Sequence, residues 1–160
     1  MIANRQRAVR VQLRSLNRFF ARAMNELRVP PDAASICLVT NAQIAKWNAA
    51  YRGKSKPTDV LSFPSEEKSP HRKVNDARTL ISRKRRSSSS FASSTSYIGD
   101  IAIAPSVARR NARLYGRTFD QEMCILILHG ILHLMGYDHE TDNGQMERRE
   151  QRLRRTLGIA

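Results

Sequence analysis

The chain has 160 residues, of which 41% are hydrophobic, and it carries 28 lysines and arginines against 14 aspartates and glutamates. This length is typical of one domain with a single core, so we expect residues 1–160 to form one domain. No apolar run reaches the roughly 18 residues of a membrane span, and the N-terminus lacks a secretory apolar segment, so we expect a cytoplasmic protein without membrane contact. The net charge of +14 favours a polyanionic partner such as nucleic acid, although a basic surface kept for solubility explains the same number.

The first third of the chain predicts alternating strands and helices. Residues 1–4 are compatible with a short strand, and from Val11 apolar residues recur every three or four positions, which predicts an amphipathic helix ending before Pro30. The β-rich run at 34–40 predicts a buried strand, after which Asn41 is expected to cap a short helix.

A basic turn connects this short helix to the next predicted strand, residues 60–63. Its cations are Arg52, Lys54 and Lys56. A basic loop next to a strand suits contacts with phosphate, which makes these three the candidate substrate-binding residues. An ordinary polar surface loop has the same composition, so both interpretations stay open.

Residues 65–97 differ from the rest of the chain because they are rich in serine and basic residues and poor in apolar ones. Such a composition predicts a disordered, low-complexity insertion within the domain. His71 lies in this segment, and we therefore do not expect it to bind a metal.

The C-terminal part predicts a strand at 97–104 and three helices. The first begins at Pro105, and Thr118 with Gln121 forms a capping-box pattern for a long apolar helix at 119–135. The last is expected to be capped within 141–143. It should turn Met146, Leu153 and Leu157 inward and the arginines at 148, 149, 152, 154 and 155 outward. Cys37 and Cys124 both have apolar neighbours, which predicts buried free thiols.

The most informative stretch is residues 129–139, with the pattern H-x-x-x-H-x-x-G-x-x-H. His129 and His133 are four residues apart, so a helix places them on one face. Gly136 can adopt a positive φ and end that helix, which allows the chain to turn back and bring His139 to the same place. Three imidazoles with an open fourth position are typical of a catalytic zinc site.

Zinc bound in this way lowers the pKa of a water molecule towards 7, so hydrolysis is the expected reaction class. The spacing matches the zinc-peptidase pattern H-E-x-x-H-x-x-G-x-x-H, except that Gly130 occupies the position of the glutamate base. Without that carboxylate, peptide hydrolysis lacks its proton acceptor. The ligand set together with the positive charge therefore favours a polyanionic substrate over a protein.

Three segments resemble the YbeY family of metal-dependent endoribonucleases: YRGKSKPTDVLSFP at 51–64, GDI at 99–101 and HGILHLMGYDH at 129–139. The resemblance implies an α+β, zincin-like fold in which a small mixed β-sheet packs with helices and a central helix carries the histidine motif. It also implies one zinc ion held by His129, His133 and His139. Arg52 matches the family's arginine associated with activity, which on physical grounds would clamp a phosphate or stabilise transition-state charge.

For function, the resemblance implies single-strand-specific cleavage of RNA in late ribosome maturation and quality control. The expected reaction is processing of the 3′ end of precursor 16S rRNA, with ribosomal RNA and the small ribosomal subunit as partners. Asp59 and Asp100 match family positions as well, but hydrogen bonding in a turn or at a strand end explains them equally well. Asp138 is expected to orient a ligand or cap the turn.

Two other functions are also compatible with the sequence. The first is a non-catalytic, zinc-stabilised ribosome-assembly factor that binds rRNA through its basic face. The second is a peptidase, which Gly130 disfavours. For the nuclease, both water and the RNA 2′-hydroxyl remain candidate nucleophiles.

Overall fold

The computed structural model describes residues 1–65, 97–139 and 141–159. Apart from its two end residues, the predicted insertion at 65–97 lies outside this described part, and so does His71. Four strands and five helices are present in the described residues. The strands are β1 (Ile2–Asn4), β2 (Ala34–Leu38), β3 (Val60–Pro64) and β4 (Gly99–Ile103). The helices are α1 (Leu13–Glu26), α2 (Asn41–Arg52), α3 (Pro105–Leu114), α4 (Phe119–Leu134) and α5 (Gln145–Leu157).

The four strands form one mixed sheet in the order β1-β2-β4-β3. β1, β2 and β4 run parallel, whereas β3 is an antiparallel edge strand. In the β3–β4 register Ser62 lies opposite Ile101 and Leu61 opposite Ala102. Because side chains alternate along a strand, β3 turns Val60, Ser62 and Pro64 to one face and Leu61 and Phe63 to the other. The α+β fold with a small mixed sheet is therefore confirmed.

Both faces of the sheet are covered, by different helices. The larger core joins Ile36, Leu38, Ile101 and Ile103 of the sheet to α1, α4 and α5. On the opposite face, a smaller cluster joins Leu61 and Phe63 to Ile44 and Trp47 of α2. This layering places α4 directly against β3 and β4, as expected for the central helix that carries the histidines.

The structure corrects two of the predicted helix ends. Thr40 rather than Asn41 is the N-cap of α2, because its side-chain oxygen accepts the backbone N–H of Gln43. At α5 the N-cap residue is Gly144, although the carboxylate of Asp142 accepts the backbone N–H groups of Gln145 and Met146. Two of the orphan donors of α5 are thus satisfied from within the predicted segment, by a residue two positions before the N-cap.

The outward orientation predicted for all five arginines of α5 is wrong for two of them. Arg149 and Arg154 are half-buried, and Arg154 pairs with the buried carboxylate of Glu150. Both cysteines are buried and free, as expected. Within the described residues, no helix is both long enough and apolar enough to cross a membrane.

Candidate metal centre

Helix α4 begins with a complete capping box and carries the first two histidines near its end. The Thr118 hydroxyl accepts the backbone N–H of Gln121, and the Gln121 side chain accepts the backbone N–H of Thr118. The helix is buried nearly all round, so its register is fixed by the core. His129 and His133 follow each other one turn apart, with 4.7 Å between their ring centroids.

A glycine-terminated turn brings the third histidine back to the first two. Gly136 has φ of 94°, its N–H donates to the carbonyl of His133, and the N–H of Tyr137 donates to the carbonyl of Leu132. These two bonds form a Schellman motif, which reverses the chain at the helix end. The ring centroid of His139 consequently lies 5.4 Å from that of His129 and 5.2 Å from that of His133.

The three histidines fit a metal ion of the zinc type. One ring nitrogen from each lies within 4.8 Å of the others, and the Nε2 atoms of His129 and His133 are 3.1 Å apart. Nitrogens about 2.0–2.1 Å from a tetrahedral zinc would be separated by roughly 3.3 Å. A set of three imidazole nitrogens also suits nickel and other late first-row metals.

The central histidine is held in the neutral form that metal binding requires. Burial lowers the pKa of His133 to about 4, and the charges of His129 and His139 act in the same direction. Only the unprotonated imidazole has a lone pair for a metal, so this environment leaves His133 ready to bind at neutral pH.

Sequence reasoning missed Glu150, which contacts the first histidine from α5. The Nδ1 atom of His129 lies 2.8 Å from Oε2 of Glu150. Burial acts to raise the pKa of Glu150, but the hydrogen bond from His129 and the charge of Arg154 outweigh it, so the net pKa is lowered. The sequence does contain a signal for this contact. Glu150 is a charged residue at helical spacing within the apolar stripe of Met146, Leu153 and Leu157, so its side chain must be buried.

A pocket of about 450 Å³ connects the histidines to the basic turn. It lies between α4 and the face of β3 that carries Val60 and Ser62, and Arg52 reaches it from the last turn of α2. Lys54 and Lys56 are exposed on the turn but do not line the pocket. The lining residues are Tyr51, Arg52, Thr58, Asp59, Val60, Leu61, Ser62, Pro64, His129, His133, Gly136, Tyr137, Asp138 and His139.

Asp59 anchors the end of the basic turn. Its Oδ1 accepts the backbone N–H of Val60 and the hydroxyl of Thr58, and its Oδ2 accepts the amide of Asn111 at 3.0 Å. At the other end, the amide of Asn48 donates to the carbonyl of Lys56. The turn that carries the candidate phosphate contacts is therefore tied to α2 on one side and to α3 on the other.

The other two carboxylates singled out in the sequence also make hydrogen bonds. Oδ1 of Asp100 accepts the hydroxyls of Ser35 and Tyr97, both at 2.6 Å, and Asp100 does not line the pocket. Asp138 does line it, and its side chain accepts the hydroxyl of Thr141 while its carbonyl accepts two backbone N–H groups. Asp138 thus caps the turn that presents His139.

The fold and this site define a class of α+β proteins in which a buried helix and the turn after it assemble three histidines at the floor of an open pocket. Within that class, the chain belongs to the YbeY family, because the family model described as "Endoribonuclease YbeY" matches residues 1–158.

Named relatives agree with this assignment, and a solved structure shares the fold. The chain is similar to an endoribonuclease YbeY of Solibacter usitatus, with 36% identity over 146 residues, which cover 91% of this chain and 79% of the relative. It is 34% identical to an endoribonuclease YbeY of Sulfurovum sp. over 124 residues, covering 78% and 71% of the two chains. The solution structure of a Thermotoga maritima protein matches with a TM-score of 0.57 and 26% identity, covering 98% of this chain and 89% of that one.

Proposed function

We propose that this protein is a metal-dependent endoribonuclease that cleaves single-stranded RNA. The observation that carries the proposal is the common pocket in which three clustered histidines lie with Arg52. The relatives that bear the name endoribonuclease, and the net charge of +14, support RNA as the substrate.

In this proposal His129, His133 and His139 hold one zinc ion, which when bound supplies Lewis acidity to the reacting phosphate. Arg52 is the catalytic and substrate-binding residue of the chain itself. Its planar guanidinium can donate two hydrogen bonds to a phosphate and stabilise the charge that develops during cleavage. Lys54 and Lys56, outside the pocket, bind the flanking backbone phosphates as point charges.

We further propose that the substrate is precursor 16S rRNA, cut at its 3′ end during late maturation and quality control of the small ribosomal subunit in the cytoplasm. The basic turn anchored by Asp59 and Asn48 supports an RNA substrate, because it would hold a phosphate backbone beside the histidines, and membership of the YbeY family is what favours this particular RNA. One domain spanning residues 1–160 carries the whole activity, and the family match over 1–158 supports that assignment.

Incubation of the purified protein with a single-stranded RNA and with casein, each with and without a chelator, tests the proposal. We expect cleavage of RNA alone, lost with chelator and restored by added zinc. RNA binding without cleavage under every metal condition would instead support the rRNA-binding assembly factor. A substrate in which every nucleotide lacks the 2′-hydroxyl then tests that group as the nucleophile, since cleavage of this substrate at an undiminished rate would rule out attack by the 2′-hydroxyl.

A further inference from the structure

Glu150 is a buried carboxylate on a face of α5 that is otherwise apolar. Glu150 as a whole residue is 6% exposed, and its neighbours on the stripe, Met146 and Leu153, are 1% and 3% exposed. A carboxylate in such a place destabilises the fold unless hydrogen bonds and charges compensate for the lost water. A leucine would satisfy the packing of this stripe, so the presence of glutamate needs another reason.

The two oxygens of Glu150 have different partners. Oε2 lies 2.8 Å from Nδ1 of His129, and Oε1 pairs with the guanidinium of Arg154, one turn further along the same helix. Arg154 thus fixes the carboxylate within α5, and the carboxylate in turn contacts a ring on α4. This is the one side-chain hydrogen bond between α4 and α5 that reaches the histidine cluster in the described part of the chain.

The hydrogen bond determines which nitrogen of His129 is free. An ionised carboxylate only accepts, so the proton of the neutral ring must be on Nδ1. The lone pair is then on Nε2, the atom that lies 3.1 Å from Nε2 of His133 in the centre of the cluster. A ring without this partner could place its proton on Nε2 instead, and that proton would have to move to Nδ1 before Nε2 could bind the metal.

We propose that Glu150 is a positioning residue that fixes the tautomer and ring orientation of His129 and so prepares the histidines to bind a metal ion. This inference rests on the metal site of the proposed function, and it assigns a role in that site to the C-terminal helix. Loss of such a hydrogen-bond partner behind a ligand typically weakens metal binding by about 10–100-fold.

The experiment compares E150Q with E150L, two uncharged variants of similar size. The amide oxygen of glutamine can still accept the Nδ1–H of His129, whereas leucine fills the apolar stripe and accepts nothing. E147Q, on the exposed side of the same helix, is the matched control. R154Q removes the ion pair with Arg154 but keeps the carboxylate of Glu150. Circular dichroism and urea unfolding establish that each variant is folded.

Two quantities are measured on each folded variant. The first is the dissociation constant for zinc, by competition with a chromophoric chelator. The second is the tautomer of His129 in the metal-free protein, from the ¹⁵N chemical shifts of its ring. We expect E150L to bind zinc about 10–100-fold more weakly and to show the proton on Nε2 of His129, while E150Q and E147Q stay within about threefold of wild type. R154Q, which removes the partner that fixes the carboxylate, should fall between these two groups.

An E150L variant that keeps both the zinc affinity and the Nδ1–H tautomer of wild type would overturn this inference while leaving the metal site intact. A wild-type protein that binds no zinc would overturn the proposed metal site itself, and the inference with it. If E150L does not fold, E150A takes its place, because alanine also removes every acceptor from Nδ1 of His129 and adds no bulk to the core; an E150A variant that keeps the zinc affinity and the Nδ1–H tautomer of wild type then overturns the inference.

Discussion

Gly130 of α4 lies directly against Ile101 of β4, so that a Cβ atom on Gly130 would be 2.8 Å from Cγ2 and 3.0 Å from Cδ1 of Ile101. Ile101 is fully buried and β-branched, so its side chain has little freedom to move aside. The missing side chain therefore allows the helix with His129 and His133 to approach the sheet. A glutamate base at this position is excluded by packing as well as being absent from the sequence.

We expect the substitution Gly130→Ala to destabilise the protein by up to about 2 kcal/mol, because overpacking at Ile101, about 1–3 kcal/mol, outweighs the roughly 1 kcal/mol that alanine gains in helix propensity. Urea unfolding measures the free energy. The control is a double-mutant cycle with Ile101→Ala, in which Gly130→Ala should cost less in the Ile101→Ala background than in wild type, although Ile101→Ala is itself destabilising. Gly130→Glu should fail to fold and gain no casein hydrolysis. A Gly130→Ala variant as stable as wild type would show that the contact with Ile101 does not require a glycine.

Arg52→Ala should lower the cleavage rate far more than it lowers RNA affinity. Loss of one donor to developing charge typically costs about 10²–10³ in kcat, whereas loss of a single phosphate contact weakens binding much less. Single-turnover cleavage and the Kd for a non-cleavable RNA separate the two effects. Lys54→Ala and Lys56→Ala are the matched controls. Each should weaken RNA binding and reduce the slope of log Kd against log salt concentration by about one, with little change in the cleavage rate. Equal losses of rate and binding in Arg52→Ala would contradict a catalytic role.

Much of the fold could be predicted from the sequence, because the local sequence patterns indicate the same helix ends and buried residues that the structure shows. The capping box at Thr118, the turn at Gly136 and the inward side of α5 all depend on a few neighbouring residues, and the structure confirms each. The order of strands, with β4 between β2 and β3, depends on pairing between distant residues and was not predicted.

The site was predictable to the same degree. The histidine spacing is local, so the clustering of His129, His133 and His139 followed from one helix and one turn. Glu150 was missed because its partner is 21 residues away, and the hydrogen bond between Asn111 and Asp59 spans 52 residues. Contacts of this kind depend on how helices pack, which periodicity alone does not determine.

Asp59 and Asn111 offer a test of whether the carboxylate in the pocket positions the basic turn or takes part in the reaction. Asp59→Asn should reduce stability by about 1 kcal/mol and impair cleavage, because the single accepting oxygen of asparagine cannot accept from both the N–H of Val60 and the amide of Asn111. The swapped pair Asp59→Asn with Asn111→Asp recreates a donor and an acceptor, so we expect it to restore both properties. Unfolding free energies and RNA cleavage rates are measured on all four proteins. A swapped pair that is stable but inactive would instead make Asp59 a reacting group.

The stability of the metal-free protein should fall as the pH drops below about 6.5, because His133 stays neutral in the folded state down to about pH 4. An unfolded histidine titrates near pH 6.5, so below that value the unfolded state binds a proton that the folded state does not.

Urea unfolding in the presence of chelator, at several pH values from 7.5 to 5, measures this loss of stability. The matched variant His133→Asn should show a shallower dependence over the same range, since the other histidines are unchanged. Glu150 contributes in the same direction only at lower pH, because its pKa is below its ordinary value of 4.5 and the stability it gives is lost as the carboxylate is protonated. Identical pH dependence in His133→Asn and wild type would show that His133 is not the group responsible.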